Sequence, residues 1–422
     1  MVLKGETLVL ISIYLSLAVI LIVGSDKLHD ISSLIIAFVS SPITFYTSYS
    51  LIPVFMPMTE KAGLWGRDLC KKGLNSEDKK IPESLGIVTA MIQILSLILI
   101  EMITATSNDR MAEYNAAILS ISLMTLLGFV DDVLELRWRY KLIIPCVATL
   151  PLAQAYWSQH GSTTIALPSF FGRILGTSKT DLTLLGQFVS LFAEVSGDPY
   201  GTGIDLHGWY YVYIVLLCIF CTNSINIYAG VNGLEVGQSI VIACSLLFIN
   251  IIDILIGGDA HYVQNHIFSA MIIIPFIASS LALFDFNCYP ARVFVGDTFT
   301  YSAGVTFAAV GIFGHFSKSL LLFFIPQLVN FLISLPQLFG LVPCPRHRLP
   351  KINPETGLLQ PSVISDDEKS RYYNHINFTL INVFLKWFGP MSEKTLTRCL
   401  LILQVACSCL AVVIRYQLGS LF

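Results

Sequence analysis

Five short polar stretches interrupt an otherwise apolar chain, and each carries side chains suited to phosphate or metal. Asp131-Asp132 closes an apolar run and is followed by Arg137, Arg139 and Lys141. Adjacent carboxylates at the mouth of a membrane-length run are costly unless they serve a purpose. They can bind Mg²⁺, accept a proton or pair with the basic residues after them. The basic triplet favours a phosphate-rich ligand bridged by metal. Between Cys221 and Gly237, Asn223, Asn226 and Asn232 alternate with Gly230, Gly233 and Gly237 where two apolar runs meet. Asn226 offers a hard carbonyl oxygen to a cation, Asn232 can read the edge of a base or sugar, and Gly230 lets a flat ring lie on the backbone. Gly296-Asp297 opens another run, with Phe294 three residues ahead as a stacking surface. Pro343-Cys344-Pro345-Arg346-His347-Arg348 frames two guanidiniums with prolines, a stiff loop for bidentate phosphate or amide contacts. Pro82-Glu83-Ser84 reads as a helix start with its acid in the first turn.

Membrane-spanning helices must position these stretches. The 422 residues are 55% hydrophobic and 13% charged, where soluble domains carry about 25% charge, and mean hydropathy is +0.71. The expected fold is an all-α polytopic membrane protein. Ten core runs are Ser33–Met56, Ser84–Thr104, Ala116–Val130, Leu142–Trp157, Trp209–Tyr228, Ser239–Ile256, Ile267–Phe286, Val293–Phe313, Leu320–Val342 and Cys399–Leu418. An eleventh, from Thr7 to Gly24, fits a signal peptide or a first span, and the want of a small-x-small cleavage site favours a retained span. The expected divisions are an N-terminal segment at 1–32, a nine-helix core at 33–342, a loop domain with Arg-His-Arg at 343–398 and a last span at 399–422.

Parity of the runs places all five stretches on one face. The loops of that face carry 18 of the 25 lysines and arginines, so the positive-inside bias puts the face in the cytosol. The long loop Ser158–Gly208 falls on the far side and is expected to hold a hairpin and no chemistry. None of the ten cysteines falls in a far-side segment, so no disulfide framework is implied. Net charge is −3, which offers nucleic acid no basic field. Asn377-Phe378-Thr379 lies on the cytosolic side, out of reach of lumenal glycosylation, and is expected to carry no glycan. Acids, basic groups, Asn and Gly gathered at span ends point to Mg²⁺-dependent phosphoryl chemistry on a pyrophosphate. A transporter more often sets its ionisable groups near mid-span.

The same stretches resemble one family together. Asp131-Asp132 with Lys141, Asn223 through Glu235, Phe294-Val295-Gly296-Asp297 and Pro345-Arg346-His347-Arg348 recur in polyprenyl-phosphate N-acetylhexosamine-1-phosphate transferases, and Arg137-Trp138-Arg139 and the ending Arg415-Tyr416-Gln417-Leu418 resemble the eukaryotic, dolichol-using branch. The resemblance implies transfer of GlcNAc-1-phosphate from UDP-GlcNAc to dolichyl phosphate at the endoplasmic reticulum membrane, with Mg²⁺, membrane lipid and a homodimer. It implies Asn226 and Asp297 as metal ligands, and Asp131, Asp132, Lys141, Arg346 and His347 as catalytic residues. The nucleotide sugar would meet Arg67, Asp68, Leu69, Glu83, Lys141, Gly230, Asn232, Phe294, Arg346, His347 and Arg348, with uracil between Gly230 and Phe294. Dolichyl phosphate would border Ile219, Phe220, Cys221, Thr222, Asn223, Ser224, Ile225, Asn226 and Ile227. Glu135 and Tyr140 stand where the family pattern expects Asn and His, and Glu135 is expected to alter lipid-phosphate binding or sensitivity to tunicamycin-type inhibitors. A sister transferase using another UDP-sugar or polyprenol, or a non-catalytic nucleotide-sugar transporter, are the rival readings.

Overall fold

A computed structural model describes residues 3–24, 32–68, 70, 79–105, 107–137, 139–159, 161–167, 182–198, 201–345, 347–365 and 367–418. The helices are α1 (Gly5–Gly24), α2 (Ser32–Lys61), α3 (Gly86–Thr104), α4 (Asn108–Leu134), α5 (Tyr140–Ala148), α6 (Leu150–Ser158), α7 (Leu184–Val189), α8 (Trp209–Ile227), α9 (Leu234–Ile256), α10 (Ala260–Asn287), α11 (Gly296–Phe313), α12 (Ser317–Leu338, with a 3-10 turn at Leu321–Phe324), α13 (Leu380–Phe388) and α14 (Glu393–Val413, ending in a π-helical turn). Among the described residues, eight helices are long and apolar enough to cross a membrane. The three remaining runs are helical as well. They are α1, the α5–α6 pair, and α11, whose side chains from Thr298 to Phe313 are all buried inside the bundle. The chain is a multi-pass, helical membrane protein.

Local sequence explains where these helices start, stop and touch. Ser107 caps α4 by accepting the Arg110 N–H, and Asp109 sits favourably in its first turn. Glu135 ends α4 at a left-handed φ of 47°. That turn delivers the Leu136 N–H to Asp131 Oδ1 at 3.0 Å. Asn adopts this backbone region more cheaply than Glu. The run Leu142–Trp157 is not one continuous helix. It breaks at Thr149, between Pro145 inside α5 and Pro151 in the first turn of α6, because neither proline can supply an N–H to a continuous ladder. Close approach marks the centre of the bundle. A Cβ on Gly128 of α4 would lie 2.6 Å from Thr298 Cα of α11, so the missing side chain lets the two helices that carry the acids pack at backbone contact.

Small antiparallel sheets decorate both faces. On the far side β3 (Thr164–Leu167), β4 (Glu194–Asp198) and β5 (Gly201–Asp205) form a sheet in the order β3-β5-β4, so the long loop holds a hairpin plus one added strand. On the basic face β1 (Trp65–Arg67) pairs with β2 (Lys80–Pro82), and β6 (Lys351–Ile352) with β7 (Leu359–Gln360). In the segment before α13, Asn377 is 1% exposed. It donates to Ser362 Oγ at 2.9 Å and accepts from Gln337 Nε2 at 3.0 Å. Its amide is engaged in packing this segment against α12. All ten cysteines are free thiols. Near the far face Asp253 meets Arg415 at 2.8 Å, the Tyr416 hydroxyl at 2.9 Å and the ring of His266 at 3.5 Å.

Candidate active site

The two adjacent aspartates at the end of α4 do different things. Asp132 accepts the Asp297 N–H at 2.6 Å, the Thr298 N–H at 3.3 Å and the Thr298 hydroxyl at 2.6 Å. It caps the N-terminus of α11 and so fixes the backbone of Asp297. Gly296 has φ of 73°, and a Cβ there would overlap the Asp132 carboxylate. A glycine is needed for the cap to form. Asp131 is 3% exposed. It accepts from the Tyr301 hydroxyl at 3.1 Å and pairs with Lys141 Nζ at 2.8 Å.

Lys141 reaches onward to Asp297 Oδ2 at 3.1 Å, and Asn226 Nδ2 donates to Asp297 Oδ1 at 2.8 Å. Four helix ends therefore converge: α4 brings Asp131 and Asp132, α5 brings Lys141, α8 brings Asn226 and α11 brings Asp297. Two carboxylates, Asp131 and Asp297, face one ammonium, with the Asp132 carboxylate beside them on the α11 N-terminus. The excess negative charge and the hard oxygens of Asp297 and Asn226 suit a divalent cation with free coordination positions.

Beside this cluster lies a cavity of about 240 Å³. It gathers Arg67, Asp68, Glu83, Asn226, Gly230, Asn232, Phe294 and Asp297 from four stretches of the chain. Gly230 has φ of 101°, and a Cβ on it would run into the Leu349 side chain. Its N–H donates to Glu235 Oε1 at 2.8 Å. Asn232 is held on three sides. Its side chain donates to Asp68 at 3.1 Å, its N–H donates to Glu393 at 2.9 Å, and its carbonyl accepts from Thr397 at 3.0 Å. Phe294 packs beside Gly66 of β1, and its N–H donates to the Pro82 carbonyl at 2.8 Å. Burial raises the Glu83 carboxyl above its usual range, with Asp132 and Glu135 adding like charge.

Other expected residues are arranged less simply. Arg348 is half-buried and donates to the Phe378 carbonyl at 3.4 Å, while His347 is exposed. It is Leu349, the next residue, that enters the cavity wall. Leu69 and Arg346 lie outside the described residues. The set from Ile219 to Ile227 divides by helical face. Ile219, Phe220, Asn223, Asn226 and Ile227 form a half-exposed stripe that leads to the acidic cluster, whereas Cys221, Thr222, Ser224 and Ile225 are buried in the bundle. Tyr301, Glu235, Glu393 and Leu349 were not expected from sequence. Tyr301 carried a signal, since it stands one helical turn after Asp297 on the same face. Glu393 carried none, being far along the chain from Asn232.

Comparison with known proteins bears on the same residues. A family model described as glycosyl transferase family 4 matches residues 114–315, which contain Asp131, Asp132, Lys141, Asn226 and Asp297. A UDP-N-acetylglucosamine–dolichyl-phosphate N-acetylglucosaminephosphotransferase of Dictyostelium discoideum is 45% identical, over 88% of this chain and 86% of that protein. The protein of that name in Saccharomyces cerevisiae is 38% identical, over 88% of each chain. A phospho-N-acetylmuramoyl-pentapeptide-transferase of Oceanobacillus iheyensis is 25% identical over 67% of this chain and 76% of that protein.

Proposed function

The chain belongs to the UDP-N-acetylglucosamine–dolichyl-phosphate N-acetylglucosaminephosphotransferase family, and on that footing we propose that it transfers GlcNAc-1-phosphate from UDP-GlcNAc to dolichyl phosphate. The observation that carries the proposal is the meeting of Asp131, Lys141, Asp297 and Asn226 within hydrogen-bond distance at the mouth of a cavity. The reaction is the first step of lipid-linked oligosaccharide assembly for protein N-glycosylation. Its place would be the endoplasmic reticulum membrane, with the site in the cytosol, where the bias of lysine and arginine puts this face.

In this reading the cavity takes the nucleotide. Uracil would lie between Gly230 and Phe294, and Asn232, held rigid by Asp68 and Glu393, would read its edge. Arg67, Asp68, Leu69, Glu83 and the Arg346-His347-Arg348 loop would complete the donor site. The half-exposed stripe of α8 would guide dolichyl phosphate along the membrane to Asn226. An oxygen of the lipid phosphate then attacks the β-phosphorus, the bond to the bridging oxygen breaks, and UMP leaves with that oxygen.

A phosphate monoester is already ionised near neutral pH, so this chain's residues need only position and disperse charge. Lys141, oriented by Asp131 and Asp297, faces the pyrophosphate with its ammonium. Asp132 keeps the Asp297 backbone in place. Asp297 and Asn226 have the oxygen donors to hold Mg²⁺, which when bound neutralises charge on the pyrophosphate oxygens. A homodimer is part of the same proposal.

Purified protein given UDP-GlcNAc, dolichyl phosphate and Mg²⁺ tests the reading. UMP should appear mole for mole with GlcNAc-pyrophosphoryl-dolichol, and EDTA or Asn226→Ala should stop both. UDP-GlcNAc binding without UMP would favour a transporter, and turnover only with another UDP-sugar would favour a sister transferase.

A further inference from the structure

Helix α1 begins at the nucleotide side of the site, and its first residues, with Lys4 just before them, touch both segments that hold the cavity. Asp285, fully buried near the end of α10, accepts the Lys4 backbone N–H at 2.7 Å, the Thr7 hydroxyl at 3.2 Å and Arg292 Nη2 at 2.9 Å. Lys4 Nζ donates to the carbonyls of Cys288 and Pro290. The segment so gripped runs straight into Phe294. Two residues on, Glu6 pairs with Arg398 at 2.7 Å and Lys394 at 3.2 Å in the first turns of α14. That same turn supplies Glu393 and Thr397, the partners of the Asn232 backbone.

We propose that α1 is a positioning clasp for the nucleotide cavity, with Lys4 steadying the segment that carries Phe294 and Glu6 steadying the turn that holds Asn232. The inference rests on the reading of this cavity as the nucleotide site. Lys4 and Glu6 touch none of Asp131, Asp132, Lys141, Asn226 or Asp297, so their contribution falls on donor affinity and leaves the phosphoryl step alone. The Glu6 pairs are partly open to solvent, with side chains 24% exposed for Glu6, 45% for Lys394 and 56% for Arg398. Pairs of that kind add little to global stability. A change in affinity without a change in melting temperature therefore separates positioning from general support.

The experiment measures UDP binding by calorimetry, and KM and kcat for both substrates, in full-length protein. Glu6→Lys, which sets like charge against Arg398 and Lys394, should weaken UDP binding and raise the UDP-GlcNAc KM about fivefold, the range open to one exposed ion pair. The dolichyl phosphate KM, kcat and the melting temperature should stay as in wild type. Glu6→Lys combined with Arg398→Glu restores an opposite-charge pair and should recover UDP affinity. Glu6→Ala, which only deletes the pair, should give a smaller loss in the same direction. Unchanged UDP affinity in folded Glu6→Lys, or no recovery in the double reversal, would overturn the clasp. Wild-type protein that fails to bind UDP would overturn the cavity reading and the clasp with it.

Discussion

Two polar clusters occupy opposite ends of one helix bundle and make opposite use of similar residues. Helix α9 links them. Gly230 and Asn232 precede its first turn, and Asp253 stands near its end, about 30 Å away at 1.5 Å per residue. At the far end a single carboxylate, Asp253, meets a single guanidinium, Arg415, with their side chains 4% and 15% exposed. The Tyr416 hydroxyl and the His266 ring complete that contact. At the basic face two carboxylates, Asp131 and Asp297, share Lys141, a third, Asp132, lies beside them on the α11 N-terminus, and Asp297 remains 24% exposed beside a cavity. Charge that balances and is closed off braces a fold. Charge that does not balance and opens on a cavity is available to a ligand.

Exchanging the roles of the clusters would break this comparison. Asp297→Ala should lower kcat/KM by at least about a thousandfold with little loss of folded protein, as expected when a metal-binding or electrostatic group is removed. Arg415→Ala should do the reverse. Leaving Asp253 buried and uncompensated costs about 3–5 kcal/mol, read as a fall in melting temperature, while turnover per folded molecule stays within about twofold of wild type. Loss of turnover in folded Arg415→Ala would show that the far cluster takes part in the reaction.

Smaller effects sharpen the contrast within the basic face. Asp132→Ala removes the α11 cap, which costs about 1–2 kcal/mol, and should lower kcat by shifting Asp297. Tyr301→Phe removes one hydrogen bond of about 1 kcal/mol from Asp131 and should reduce kcat about fivefold without changing the donor KM.

Glu83 supplies the smallest prediction. Its carboxyl is raised by burial, so the folded state disfavours the charged form. That penalty is absent well below the ordinary glutamate pKa and develops as pH rises through the raised value. Glu83→Gln should then raise the melting temperature at neutral pH and leave it unchanged in acid. A shift of equal size at both pH values would remove ionisation from the explanation.

Much of this arrangement was legible in the sequence. Apolar length marked eleven runs, and each is helical. Asp131, Lys141, Asn226 and Asp297 stood out because polar groups at the ends of membrane-length runs need a reason to be there, and they meet within about 3 Å. The division of work between Asp131 and Asp132 was not legible. Neighbouring residues on a helix point about 100° apart, and only packing against α11 decides which faces the site. The break at Thr149 was written in Pro145 and Pro151 but masked by continuous hydrophobicity. The Asp253–Arg415 pair spans 162 residues of chain and the Lys4–Asp285 contact 281. No local pattern signals partners so remote. His347 and Arg348 show where a motif alone does not give side-chain placement. Their motif was conspicuous, yet Arg348 is turned to Phe378 and Leu349 forms the wall.

The most direct test follows the phosphorus. UDP-GlcNAc labelled in its β-phosphate would be incubated with dolichyl phosphate, Mg²⁺ and either wild-type protein or Asp297→Ala. Wild type should move the label into the lipid, with unlabelled UMP left behind, and folded Asp297→Ala should move none. Label retained in UDP would mean that sugar alone is transferred, and full transfer by Asp297→Ala would remove the acidic cluster from the reaction.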